Sequence, residues 1–186
     1  MPATKHPILS NSIVLLLVLR ITMFGQSVRE HNPSEWGEFL WKIAGCSVLL
    51  PHNSDSPEYL DAEIPHYGDA GKIKGHRVIG YEGDVMYSVD YYDLPPQVSK
   101  TYLQDVRKET LRRAKGRVSY RAVSLDGNSG VEFTVRSKRH FALTRRYLVK
   151  QRLFIVAITK LDPGSAPKNV DMFLNSFKLI SDWSIK

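Results

Sequence analysis

Leu153-Phe154-Ile155-Val156-Ala157-Ile158 is an unbroken apolar run with no polar face. Successive side chains of a strand point to opposite sides, so a strand of this kind is central to a sheet and covered on both faces. Its neighbours read differently. Val85, Tyr87, Val89 and Tyr91 alternate with Met86, Ser88, Asp90 and Tyr92, a period of two that predicts a half-buried strand. Working outward, strands are expected at 44–50 (stopped by Pro51), 76–81, 85–92, 117–125, 131–136, 141–149 and 153–159. Tight turns fall at Glu82-Gly83-Asp84, at Asp126 to Gly130 and at Lys150-Gln151.

Two segments carry a helical period. Leu103, Val106, Thr110, Leu111 and Ala114 share one face, Glu109 can reach Arg112 or Arg113, and Gly116 stops the run. Val170, Phe173, Leu174 and Phe177 fall at i, i+3, i+4 and i+7. Trp36, Phe39, Leu40 and Trp41 open the domain, and residues 51–72, rich in Pro, Asp, Ser, His and Gly, are expected to form a long loop. The fold class expected from this order is α+β, a mostly antiparallel sheet with helices covering its faces.

The chain has 186 residues, 42% hydrophobic and 24% charged, which suits one globular domain plus a targeting segment. Cys46 is the single cysteine, so neither an intrachain disulfide nor a multi-cysteine metal site can form. The formal net charge is +7. That surplus biases the protein toward anionic partners, either an acidic protein surface or an anionic membrane. The basic residues are scattered from Lys72 to Lys178 instead of forming one run, which disfavours nucleic acid.

Lys5 precedes seven consecutive aliphatics, Ile13 to Leu19, followed by Arg20 and then Gly25-Gln26-Ser27. A basic start, a short apolar core and a small-x-small site are the layout of a secretory signal peptide. The expected organisation is a signal peptide at 1–27, a linker at 28–35, one domain at 36–180 and a tail at 181–186. The location this implies is periplasmic or extracellular. Arg20 interrupts the apolar core, so an uncleaved signal that tethers the domain to the membrane is the alternative. Ile43-Ala44-Gly45-Cys46 resembles a lipoprotein cleavage box, but charged residues separate it from the apolar core. Cys46 therefore reads as a buried strand residue.

Ser47-Val48-Leu49-Leu50-Pro51, Tyr87-Ser88-Val89-Asp90-Tyr91 and Asp93-Leu94-Pro95 carry a resemblance that continues through Gly127 to Gly130 and Arg146-Tyr147-Leu148-Val149. It extends over Arg152-Leu153-Phe154 and closes with Phe173-Leu174-Asn175-Ser176-Phe177. Over 36–180 the chain resembles small exported bacterial proteins of unassigned role with a PsbP-like, Mog-type α/β/α sandwich. PsbP is a lumenal accessory protein of photosystem II, and Mog-type proteins bind the GTPase Ran. The shared residues are structural, so the resemblance implies a fold and brings no catalytic residue, cofactor or partner with it.

Chemistry-bearing constellations are sparse. Gly68-Asp69-Ala70-Gly71-Lys72-Ile73 echoes a phosphate loop but fails on spacing, with Ile73 where a hydroxyl is needed. His52, His66 and His76 with Asp55, Asp61, Glu63 and Asp69 match no metal-ligand spacing, and no Gly-x-Ser-x-Gly elbow is present. Tyr81, Tyr87, Tyr91 and Tyr92 read as core packing. No catalytic, cofactor or metal residue is assigned. Arg136, Arg139, Arg146 and Arg152 are the candidate patch for an anionic partner, weighed against protection of an edge strand by charge. The reading is an exported, non-catalytic accessory or binding protein. Its alternative is a small-ligand receptor or enzyme with a pocket beneath the 51–72 loop.

Overall fold

The computed structural model describes residues 35–52, 58–62, 73–96, 101–114, 116–161 and 167–180. The expected signal peptide, nearly all of the expected linker, and the tail lie outside the described residues.

Among the described residues, ten strands form two sheets, accompanied by two helices. The smaller sheet contains β1 (Trp36–Trp41), β2 (Cys46–Pro51) and β10 (Lys178–Leu179), in the order β1-β2-β10. The larger has seven strands in the order β3-β4-β5-β9-β8-β7-β6. These are β3 (Glu58–Ala62), β4 (Ile73–Glu82), β5 (Val85–Asp93), β6 (Arg117–Leu125), β7 (Asn128–Arg136), β8 (Phe141–Val149) and β9 (Arg152–Lys160). Every pairing is antiparallel. The apolar run from Leu153 to Ile158 lies in β9, the fourth of seven. Phe154, Val156 and Ile158 are each fully buried on one of its faces, and Leu153 is 1% exposed on the other.

One face of the larger sheet packs against the smaller sheet. Trp41, Cys46, Val48 and Leu50 meet Val78, Tyr87, Val89, Tyr91, Phe154 and Val156, joined by Phe173, Leu174 and Phe177 from α2 (Val170–Ser176) and the residue after it. Edge-on aromatic contacts cross this layer: Trp36 to Tyr87 at 4.8 Å, Trp41 to Tyr91 at 5.1 Å and Tyr87 to Phe173 at 5.1 Å between ring centroids. On the opposite face α1 (Tyr102–Arg113) sets Tyr102, Leu103 and Val106 on Tyr92, Leu148, Leu153 and Ile155. Among the described residues no helix is long and apolar enough to cross a membrane.

This architecture corrects the expected fold class. Over the described residues the protein is β-rich, a sheet packed on a sheet with two short helices, and not the α/β/α sandwich with helices covering both faces. Dimensions explain the difference. Seven strands at about 4.8 Å spacing span roughly 29 Å, whereas a seven-residue helix is only about 10 Å long. The cover on that face comes largely from β1 and β2. Gly37, Phe39 and Trp41 sit opposite Leu50, Val48 and Cys46, so both strands present apolar side chains inward.

The 51–72 segment is also corrected in part. Glu58–Ala62 is a strand, paired to β4 with Leu60 opposite Gly75. A five-residue strand containing Glu58 and Asp61 carries little intrinsic strand signal, and its place at the end of the sheet is set by its partner.

Candidate functional site

Two-residue hairpins fix the register of three pairs in the larger sheet, β4–β5, β6–β7 and β8–β9. Asp126 (φ 49°) and Gly127 (φ 78°) both adopt left-handed backbone, the conformation required by the turn that suits a twisted hairpin. Leu125 is thereby placed opposite Asn128, and Arg117 opposite Arg136. Side chains directly across strands share a face, so the face toward the smaller sheet carries rows. One row is Arg121, Glu132 and Arg145, and the next row but one is Arg117, Arg136 and Phe141.

In the first row Glu132, 7% exposed, accepts hydrogen bonds from Arg121 Nε at 2.6 Å and Nη2 at 2.8 Å, and from Arg145 Nε at 2.7 Å. Arg145 Nη1 also donates to the Leu174 carbonyl at 3.2 Å and to Asn175 Oδ1 at 3.1 Å, anchoring a cation at the last turn of α2. Burial pushes the Glu132 carboxyl up. The hydrogen bonds and charges of the two guanidinium groups outweigh that effect and hold it below its ordinary value. One carboxylate faces two cations, so the row is net positive.

The second row has no acid at all. Arg117 and Arg136 are exposed like charges directly opposite each other, an arrangement that costs stability by itself. Arg136 lies with Cζ 5.0 Å from the Phe141 ring centroid. In the turn that follows, Ser137 Oγ accepts hydrogen bonds from the backbone N–H of Arg139 and of His140, both at 3.1 Å. Lys138 and Arg139 project from that turn, both exposed. Residues 116–149 hold seven Lys or Arg against only Asp126 and Glu132, a local net charge of +5 within a chain whose formal net charge is +7.

The four arginines of the expected patch part company. Arg136 and Arg139 belong to this basic corner. Arg146 lies on the opposite face, donating from Nη1 to Tyr102 Oη of α1 at 2.8 Å, with its Nε buried and without a hydrogen-bond partner. Arg152, 7% exposed, binds Asp93 through two bonds of 2.5 and 2.7 Å. Its Nη1 donates to the carbonyls of Ile43 at 3.0 Å and Ala44 at 3.2 Å, and its Cζ stacks 4.4 Å from the Tyr91 ring centroid. It fastens the β1–β2 turn to β5 and β9. Arg117, Arg121 and Lys138 are the corner's other members. The hairpin signal Asp126-Gly127 could have revealed the Arg117–Arg136 pairing, since the turn alone sets that register.

Other polar groupings are more self-contained. Arg77 and Asp90 form a two-pronged pair at 2.7 Å and 2.7 Å on the α1 face. Tyr92 Oη donates to the same carboxylate at 3.5 Å. Burial, followed by the Asp90 charge, pushes the Tyr92 hydroxyl well above its ordinary value. Ser137 Oγ lies 2.9 Å from His140 Nδ1, a contact that belongs to the same turn as the Ser137 bonds to the Arg139 and His140 amides. A hollow of about 420 Å³ lies between β2 and α2, lined by Glu38, Val48, Leu49, Met172, Asn175, Ser176 and Lys178. The pocket expected beneath the 51–72 loop falls where 53–57 and 63–72 lie outside the described residues, as does nearly all of the phosphate-loop echo. Among the described residues no three His, Cys, Asp or Glu side chains converge as metal ligands do. Cys46 is buried in β2, as a strand residue should be.

No protein-family model matches the chain, and no curated protein matches it. Among solved structures it is similar to cyanobacterial PsbP (CyanoP) from Synechocystis sp. PCC 6803. The identity is 14%, the TM-score is 0.44, and the match covers 83% of this chain and 98% of that one. That degree of likeness transfers no role to this chain.

Proposed function

We propose that the chain is an exported, non-catalytic binding protein that docks an anionic partner on the basic corner formed by β6, β7 and the β7–β8 turn. The observation that carries this reading is the exposed set Arg117, Arg136, Lys138 and Arg139, which makes no ion pair among the described residues. Like charges held opposite one another weaken the fold, and an anionic surface brought against them relieves the repulsion. Arg139 leads the turn outward and Arg136 anchors its start. Arg146 and Arg152, tied to Tyr102 and Asp93, support the layers behind the corner instead of lining it.

Retention on immobilised polyglutamate tests the reading. The Arg136→Glu, Arg139→Glu chain should elute at clearly lower salt than the wild type, because each reversed charge replaces a screened attraction to the polyanion with a repulsion. Reversing two exposed lysines elsewhere, Lys42→Glu and Lys178→Glu, applies the same change in net charge. An equal drop in both variants would show that total charge, not this corner, governs binding. The export half of the reading rests on residues 1–27, and the intact mass of the chain made in a bacterial host tests it. A product beginning near Val28 supports cleavage. One retaining Met1 in the membrane fraction supports the tether that Arg20 would impose.

A further inference from the structure

We infer that the free edge of β6 receives an extended acidic segment of a partner protein as an eighth strand, an inference that rests on the basic corner being a docking site. β6 ends the seven-stranded sheet, and among the described residues no strand pairs on its outer side. The tight turn makes Leu125–Asn128 a hydrogen-bonded pair, and alternation then assigns Arg117, Ser119, Arg121 and Val123 to β7. The backbone N–H and C=O groups of Val118, Tyr120, Ala122 and Ser124 therefore point away from the sheet. They form a row about 20 Å long. Ala122 and Ser124 are exposed, and no proline or glycine interrupts β6. Open edges of this length are templates for strand pairing, and the charges that guard this one, Arg117 and Arg121, are both cationic, so they repel a basic strand and admit an acidic one.

The side chains flanking the edge specify what would pair there. On the face toward the smaller sheet an incoming strand would meet Arg117, Ser119, Arg121, Val123 and Leu125 in turn. On the other face it would meet Val118, Tyr120, Ala122 and Ser124, with the Arg107 guanidinium 4.4 Å from the Tyr120 ring centroid. No acid lies on β6. The matching segment carries two carboxylates four residues apart, opposite Arg117 and Arg121, with β-branched residues between them. A second copy of this chain fits poorly. Symmetric antiparallel pairing centred on β6 sets Arg121 against its own counterpart.

The probe is a synthetic peptide of Val, Thr and Ile with two glutamates four residues apart, added to the isotope-labelled full chain. Amide exchange at Val118, Tyr120, Ala122 and Ser124 should slow by about tenfold or more at saturation, while Ser119, Arg121 and Val123, already paired to β7, change little. A peptide N-methylated on its ladder-facing nitrogens should give no protection. Ala122→Pro removes an outward donor without touching a β7 bond; it should lose the peptide yet keep polyglutamate retention, separating failure of strand addition from failure of the corner itself. The inference is overturned if none of the four amides is protected, if a lysine-substituted peptide protects them equally, or if N-methylation makes no difference. Protection that rises with the chain's own concentration, without peptide, would overturn it in favour of self-pairing.

Discussion

Replacing Arg152 by methionine keeps most of the stem volume and removes the guanidinium that ties the β1–β2 turn to β5 and β9. The loss can be worked from its bonds. The Asp93 side chain is 60% exposed and regains water when its partner goes, so that ion pair contributes at most about 1 kcal/mol. The Ala44 and Ile43 carbonyls are another matter. Charged donors stabilise such acceptors by about 1.5–3 kcal/mol each, and the Arg152–Ala44 bond is buried. Stacking on the Tyr91 ring adds about 1 kcal/mol. The parts sum to about 4–8 kcal/mol, but they share one guanidinium and are not additive, and the Ile43 bond is only part-buried, so roughly 3–4 kcal/mol is expected for the whole. For a domain of this size that lowers Tm by roughly 6–16 °C. Urea and thermal unfolding followed by circular dichroism measure it. Arg152→Lys should recover less than half, since an ammonium cannot fork to Asp93 and both carbonyls at once. Asp93→Asn should cost no more than about 1 kcal/mol. A loss below about 1 kcal/mol for Arg152→Met would refute the clamp, and an Asp93→Asn loss equal to it would locate the stabilisation in the ion pair and not in the carbonyls.

Three further outcomes are expected. Glu132 has a folded-state carboxyl below its ordinary value of 4.5, so its stabilisation is complete above about that pH and is lost as pH falls through the lower folded value. Urea midpoints measured downward from pH 5 should therefore fall less steeply for Glu132→Gln than for the wild type. Gly130→Ala places a Cβ 2.6 Å from Tyr147 Cδ1 and 2.7 Å from the Arg146 carbonyl oxygen, and because the second of these is backbone, about 1–3 kcal/mol should be lost in chemical denaturation. Burial pushes the Cys46 thiol up to about 12, against a smaller lowering by the Arg152 charge. Iodoacetamide should leave it unmodified in the native protein at pH 8, with labelling that follows global unfolding in urea.

The larger sheet is legible in the sequence because each of its main strands carries its own periodicity. The apolar run at 153–158 identifies the central strand, and β6 and β8 match their expected bounds, since Gly116, Asp126-Gly127 and Lys150-Gln151 punctuate them locally. The partnership between elements is not legible. Trp36 to Trp41 reads as the start of the domain but not as a strand, because its inward set of Gly37, Phe39 and Trp41 becomes a pattern only once β2 lies beside it. Helix length is the other gap: an i, i+3, i+4, i+7 spacing detects the apolar stripe of α2 but says nothing of how much sheet so short an element can cover. The same limit applies to the arginines. Composition places Arg136, Arg139, Arg146 and Arg152 in one stretch of chain, while the pleat sends Arg146 to the far face and the sheet-to-sheet packing buries Arg152.

β2 pairs with β1 on one side and with β10 on the other, and Ser176 Oγ accepts from the Leu49 amide across a separation of 127 residues. β1 is made before β2, but at a synthesis rate of about 5–20 residues per second β2 waits roughly 6–25 s for Ser176 and β10 to be made. Strands β3 to β9 can assemble in the meantime, because almost all of their pairings are between neighbours in the chain. The nascent domain thus has a half-built layer, with Trp41, Val48 and Leu50 lacking Phe173 and Phe177 until the last of the described chain arrives. Anything that stalls synthesis or transport within that interval leaves an apolar surface and an unpaired strand open to other chains, and a holding chaperone acting there would meet β1 and β2 first.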